Sequence, residues 1–306
     1  MSRTITIVEV GPRDGLQNEK TVLAPAVRAE LVLRLEAAGA RRIEAVSFVH
    51  PKYVPQMAGA EEVMAALPRE AGRSRIGLVL NGKGYDRGLG TAVDEVNIAM
   101  SATDGFGLKN QGMGVDQQVE MLADILRGRA NAEGQPGAGP SLSATLSCVW
   151  GCPFDGEVSE AQVEDLVGRI GALGVREIAL ADTIGVADPW AGTRKVEAAR
   201  RAAPEAVLRL HFHDTRNTGL ANAYAGVEAG VDVLDASVGG IGGCPFAPGA
   251  TGNVATEDLV FMLERAGFDT GYDLDRLIDT ARWIGGVIGR PTPSALSRAG
   301  GWPKPG

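Results

Sequence analysis

The chain has 306 residues, 44% of them hydrophobic and 22% charged. That composition excludes the disordered and fibrous classes and suits a large globular domain. The formal net charge of -8 excludes a partner captured by bulk positive charge, nucleic acid above all.

Short β-branched runs alternate with longer alanine- and leucine-rich stretches. The pattern predicts strands over 5–10, 42–49, 75–80, 95–100, 141–148, 177–182, 207–214 and 233–238. Helices are expected over 25–38, 59–67, 85–92, 115–130, 159–173, 189–203, 218–229 and 256–266. Asp188-Pro189 and Ser159 are good helix starts, and Gly39, Gly174 and Gly230 good helix stops. Eight strand–helix units in alternation predict an α/β protein with a parallel sheet, and the count of eight favours a closed (β/α)₈ TIM barrel. No Gly-x-Gly-x-x-Gly follows the first strand, which argues against a dinucleotide fold. Residues 1–290 are read as one catalytic barrel, including a short C-terminal helical extension over 274–288. Residues 291–306 are read as a Pro/Gly-rich tail, and 131–140 as a loop.

No apolar run approaches the length of a membrane span. Strand-like sequence starts at Ile5, so no signal or transit peptide is read. The three cysteines, an odd and low number, point to a reducing compartment. A cytoplasmic location is therefore expected. Cys148 and Cys152 are spaced C-x₃-C without a second pair, which argues against structural zinc.

In a barrel of this kind, chemistry collects where the strands end. The first strand runs into Glu9-Val10-Gly11-Pro12-Arg13-Asp14-Gly15. By itself this could be a salt-bridged surface turn. His211 and His213 lie two apart on the seventh strand, so both imidazoles share one face. Two such rings are either hydrogen-bonded core residues or metal ligands. The cost of burying two polar rings favours ligands. The eighth strand leads into Gly239-Gly240-Ile241-Gly242-Gly243-Cys244-Pro245, whose cysteine is a candidate acid/base group or an incidental thiol. Asn253 is either a helix cap or an amide ligand to a metal. Asp182 and Glu44 are strand carboxylates that need an arginine or a metal, and Arg13 is the evident partner. Asn81, at the end of the third strand, is a further polar candidate.

Five runs resemble the hydroxymethylglutaryl-CoA lyase family. They are VEVGPRDGLQNEK (8–20), SFVHPKYVPQMAG (47–59), ADTIGV (181–186), HFHDT (211–215) and GGCPFAPGATGNVATEDLVFML (242–263). The resemblance extends from Ile5 to about Gly289. It places the chain in a wider group of metal-dependent lyases and Claisen-condensing synthases.

The resemblance implies that Asp14, His211, His213 and Asn253 bind a divalent metal. Mg²⁺ or Mn²⁺ would suit, with Co²⁺ or Zn²⁺ tolerated by imidazole. It implies that Arg13 stabilises a thioester enolate and that Cys244 is the catalytic cysteine. Glu44, Asp182 and His211 join them as catalytic residues, with Glu9, Asn81, Thr183 and Glu257 in support. The implied reaction is retro-Claisen cleavage of 3-hydroxy-3-methylglutaryl-CoA, an acyl-CoA substrate, to acetyl-CoA and acetoacetate. A homodimer or higher oligomer and a place in leucine catabolism are implied as well. Lys20, Lys52 and Lys109 are candidate CoA phosphate contacts or plain surface lysines.

Two segments depart from the family pattern. They are Ser101–Met113 and the Arg216-Asn217-Thr218-Gly219 that follows HFHDT. They keep open a sister lyase acting on citramalyl-CoA or a 3-hydroxy-3-alkylglutaryl-CoA. A condensing acyltransferase of the isopropylmalate synthase type is the reading from a different reaction class. A dead barrel serving as a scaffold is disfavoured, because every implied site residue is present.

Overall fold

The eight β-branched runs form strands β1 (Thr6–Glu9), β2 (Arg42–Ser47), β3 (Ser74–Val79), β4 (Glu95–Ser101), β5 (Ser141–Ser147), β6 (Glu177–Asp182), β7 (Val207–Phe212) and β8 (Val233–Ala236). In this computed structural model, which describes residues 2–132, 139–243 and 252–302, they close into one barrel in chain order. Every neighbouring pair is parallel, and β1 seals the barrel against β8 with Thr6 beside Val233 and Glu9 beside Ala236. This is the fold class expected from the alternation.

Helices α1 (Pro25–Ala37), α2 (Ala60–Ala66), α3 (Gly82–Leu89), α4 (Asp104–Gln111), α5 (Val115–Ala132), α6 (Glu160–Ala172), α7 (Pro189–Ala202), α8 (Gly219–Glu228) and α9 (Thr256–Arg265) follow in turn. The main apolar core joins outward-facing strand residues such as Ile7, Ile43, Ile98, Leu180, Leu210 and Leu234 to the helices. Burial of that layer is what stabilises the fold.

The inside of the barrel is different. Residues paired across neighbouring strands share a face, so the registers place Glu95, Asn97, Ser143, Thr145, Glu177, Arg209 and His211 together on the inner one. At the lower end Arg42 bridges Glu95 at 2.8 Å and Glu177 at 2.9 Å, while Arg209 stands 3.3 Å from Glu177. A barrel interior of this class is usually filled with branched aliphatic side chains. Here much of it is a network of paired charges. Each charge has a counter-charge, which offsets the cost of leaving water.

Helix α10 (Leu274–Ile288) occupies the predicted extension, and Arg34 of α1 stacks on its Trp283 with 4.4 Å from guanidinium to ring centroid. The stretch beyond 290 is not a bare tail. It carries a short helix α11 (Ala295–Ala299). Asp258 of α9 accepts from Ser294 Oγ at 3.0 Å and from the Ala295 and Leu296 amides at 2.8 Å each. Part of the loop expected over 131–140, residues 133–138, lies outside the described residues. Among those described, no helix is long and apolar enough to cross a membrane.

Candidate metal centre at the barrel mouth

The first strand ends in one wide turn, Gly11–Gly15. The Val10 carbonyl accepts three consecutive amides: Arg13 at 3.1 Å, Asp14 at 2.8 Å and Gly15 at 3.2 Å. Pro12 has no amide hydrogen to lose there. The turn brings two adjacent side chains to the mouth. Arg13 Nε donates to Glu44 Oε2 at 2.8 Å, and its Nη1 to Asp14 Oδ1 at 2.6 Å. Burial works against the Arg13 charge, but Glu44 and Asp14 outweigh it and raise its pKa. The guanidinium is therefore fixed, charged and aimed by two carboxylates.

The other oxygen of Asp14 faces the histidines. Oδ2 stands 3.9 Å from His211 Nε2 and 4.0 Å from His213 Nε2. One donor atom from each of these three residues falls within 4.8 Å of the others. Asn253 completes the group, with Nδ2 donating to Asp14 Oδ2 at 2.8 Å and to the Ile241 carbonyl at 3.2 Å. Its Oδ1 is buried and has no hydrogen-bond partner among the described residues. An orphaned buried oxygen is costly unless something outside the chain meets it. Gly242 makes the close approach possible: its φ is +108°, and a Cβ there would come within 2.7 Å of Asn253 Nδ2.

Electrostatics prepare these donors. Burial, seconded by His211, holds His213 down to about 4, so its ring is neutral near pH 7. Asp14 lies well below the usual carboxylate range, because Arg13 and the two imidazoles overcome the opposing effect of burial. One carboxylate, two imidazoles and one amide oxygen make a mixed N/O set that fits a divalent ion with positions left open.

Other sequence-predicted residues lie away from this group. On β1, Glu9 shares the outward face with Ile7, and it reaches the helix layer instead of the barrel interior. Its Oε1 accepts from the Gly11 and Val238 amides at 2.7 and 2.9 Å, and its Oε2 from Thr256 Oγ1 at 2.6 Å. Glu257 accepts from the Gly239 amide at 2.9 Å. These two carboxylates hold the backbone of the turns beside the site. Asp182 also faces outward, and its oxygens take the Val186 and Ala187 amides at 2.9 and 3.0 Å. Thr183 Oγ1 accepts from the Cys148 amide at 2.8 Å. Asn81 is the N-cap of α3, accepting from Gly84 at 3.0 Å. Cys244 lies outside the described residues.

Burial raises Glu9 from 4.5 to about 7. A carboxyl whose folded pKa is raised contributes stability that is full below its unfolded pKa. That contribution is lost as pH climbs through the folded value. The Glu9→Gln variant has no charge to desolvate. Its unfolding free energy relative to wild type should therefore rise by roughly 3 kcal/mol between pH 4.5 and 7.5. Denaturant melts at both pH values test this, and an unchanged difference would refute it.

Three polar residues at the site were not among the sequence-based candidates. Asp235 on β8 faces His211 Nδ1 at 3.2 Å. Asn97 Nδ2 donates to Glu44 Oε1 at 3.0 Å. Arg209 lies below both, with Nη2 donating to Thr145 Oγ1 at 3.1 Å. A signal existed for Arg209, which shares its strand parity with His211 and His213.

Comparison with known proteins gives the family. A family model described as HMGL-like matches residues 4–284. The mitochondrial hydroxymethylglutaryl-CoA lyase of Gallus gallus is 40% identical over 96% of this chain and 97% of its own length. An (R)-citramalyl-CoA lyase of Chloroflexus aurantiacus is 40% identical over 97% of this chain and 95% of its own. The crystal structure of a hydroxymethylglutaryl-CoA lyase from Pseudomonas aeruginosa superposes with a TM-score of 0.91 at 39% identity, covering 98% of both chains. In sequence and in architecture, over nearly its whole length, the chain belongs to the HMGL-like family, carbon–carbon lyases of the hydroxymethylglutaryl-CoA lyase type.

Proposed function

We propose that this protein cleaves 3-hydroxy-3-methylglutaryl-CoA to acetyl-CoA and acetoacetate, with a divalent ion held by Asp14, His211, His213 and Asn253. The observation that carries the reading is the pairing of this donor set with Arg13 in one turn, the two functions meeting at Asp14.

The reaction needs charge control at two places. The tertiary hydroxyl loses its proton, and the electrons of its O–H bond form the new ketone. The C2–C3 bond then breaks, and its electron pair moves into the thioester as an enolate. A divalent ion held by Asp14, His211, His213 and Asn253, Mg²⁺ or Mn²⁺ by ligand type, would supply Lewis-acid stabilisation of the alkoxide charge. Arg13, held by Glu44, offers charge-assisted hydrogen bonds to the enolate oxygen. Asp182 faces the helix layer and holds the Val186 and Ala187 amides, and the Nδ1 of His211 meets Asp235, so Asp14 is the carboxylate assigned to the hydroxyl proton. Cys244 returns a proton to C2, which completes acetyl-CoA. Glu9, Thr183, Glu257 and Asn81 keep the surrounding turns in place.

One feature favours a second reading. Arg216, in a segment that departs from the family pattern, lies at the rim with Nη1 donating to the Ile184 and Gly185 carbonyls at 2.7 and 2.9 Å. Together with the similarity to a citramalyl-CoA lyase, it leaves the acyl group open to a shorter substrate. Family resemblance supports a homodimer or higher oligomer and a role in leucine breakdown. The cysteine count supports a cytoplasmic setting.

The test is cleavage by purified protein with added Mg²⁺ or Mn²⁺. Acetoacetate release from the hydroxymethylglutaryl thioester at the higher kcat/KM, abolished by EDTA and restored by metal, is the expected result. Preference for citramalyl-CoA, read as pyruvate release, would move the assignment to the sister lyase. Undiminished turnover after metal removal would overturn the metal-dependent mechanism.

A further inference from the structure

The polar interior of the barrel joins the two halves of the site through one continuous path. Arg13 donates to Glu44. Glu44 accepts from Asn97 at 3.0 Å, and Asn97 accepts from Thr145 at 3.1 Å. Thr145 accepts from Arg209 at 3.1 Å, and Arg209 Nε faces Asp235 Oδ1 at 3.4 Å. Asp235 Oδ2 then meets His211 Nδ1 at 3.2 Å. Between Arg209 and Glu44 the hydrogens can run only one way. Arginine has no acceptor, so Thr145 must accept from Arg209 and donate to Asn97, which turns its amide nitrogen to Glu44. Arg209 pairs with the far oxygen of Asp235 by charge at 3.4 Å, without a hydrogen bond, and Oδ2 is the oxygen that meets His211.

From this geometry we propose that Asp235 is a positioning residue. It holds the Nδ1–H tautomer of His211, so that the Nε2 lone pair faces Asp14. The inference rests on the reading of Asp14, His211, His213 and Asn253 as a metal site. An imidazole can serve one ion through Nε2 only if its proton sits on Nδ1, and a carboxylate at Nδ1 both secures that tautomer and raises the ligand's basicity. His213 has no such support: its Nδ1 is buried without a partner among the described residues. Of the two histidines, His211 is therefore the oriented one.

Asp235 has a competing role, the neutralisation of Arg209 inside the barrel. The experiment separates the two. Metal-free wild type, Asp235→Asn, Arg209→Met and the double variant would be titrated with Mn²⁺, the free ion being counted by its electron paramagnetic resonance. Stoichiometric binding by wild type secures the metal reading, and its absence would defeat that reading before the present one is reached. A 10- to 100-fold weaker affinity is expected for Asp235→Asn, and it should persist in the double variant, where no arginine charge is left to balance. Affinity within twofold of wild type in folded Asp235→Asn, or its recovery in the double variant, would overturn the proposal.

A second measurement needs no variant. Nitrogen NMR of the metal-free wild type, at a pH where the ring is neutral, should report His211 protonated at Nδ1. Protonation at Nε2 would overturn the proposal even if Asp235→Asn failed to fold.

Discussion

An Arg13→Lys enzyme should lose on the order of 10²–10³ in kcat, with KM for the thioester changed far less. The reason lies in the shape of the group. Arg13 uses Nε and Nη2 on Glu44 and Nη1 on Asp14, at 2.6–2.8 Å. A lysine ammonium is a point charge without that planar fork. It can satisfy one carboxylate or point at the enolate oxygen, but it cannot be braced while doing so. Glu44 would keep Asn97 as its partner, so the variant should still fold. The loss should fall on kcat because the enolate exists only beyond the ground state. Steady-state kinetics with the preferred thioester decide the matter, and an unchanged kcat/KM would remove Arg13 from the chemistry.

Replacing His213 by alanine should weaken metal binding by at least about 10², more than the loss of a group that merely supports a ligand. Turnover should fall in parallel at limiting metal. This variant is well suited to the question. His213 Nδ1 makes no hydrogen bond among the described residues, so its removal strands no buried partner. Its ring meets His211 at 5.1 Å between centroids, a contact whose loss trims packing without opening the barrel. The metal-free variant should therefore melt close to wild type. Mn²⁺ titration beside a thermal melt checks both points. Undiminished affinity would exclude His213 as a ligand, and a collapsed melting temperature would mean the ring is structural.

The barrel was legible because its strands are short, β-branched and regularly spaced. Strand β6 was read to the residue, and most other boundaries moved by one or two. Helix α4 was not read. Its sequence DGFGLKNQ has two glycines in eight positions and no apolar stripe, so neither propensity nor periodicity marks it. In the site, His211 and His213 stood out by parity, while Asp14 was singled out only by the family resemblance of the run around it. Carboxylate parity was the harder problem. Glu9 and Asp182 end their strands as expected, yet both face the helix layer and serve backbone amides. Asp235 escaped notice for the opposite reason. A lone carboxylate in Val233-Leu234-Asp235-Ala236 gives no local hint that it meets a histidine on the neighbouring strand. Only the register between β7 and β8, with Asp235 beside His211, makes that contact.

The turn that hangs three amides on the Val10 carbonyl has a consequence for how such an enzyme can diversify. Arg13 and Asp14 are consecutive, so a displacement of one by an insertion, a deletion or a relaxed backbone displaces the other. On the proposed roles, a shift of this backbone would move charge stabilisation at the thioester and affinity for the ion together, although a side-chain substitution such as Arg13→Lys reaches only one of them. Variation has to be accommodated elsewhere on the rim, in segments such as 101–113 and 216–219 that no shared carbonyl binds to the catalytic pair. If Arg13 and Asp14 play the proposed roles, a lineage built on this turn would change the acyl group it accepts more readily than the bond it breaks.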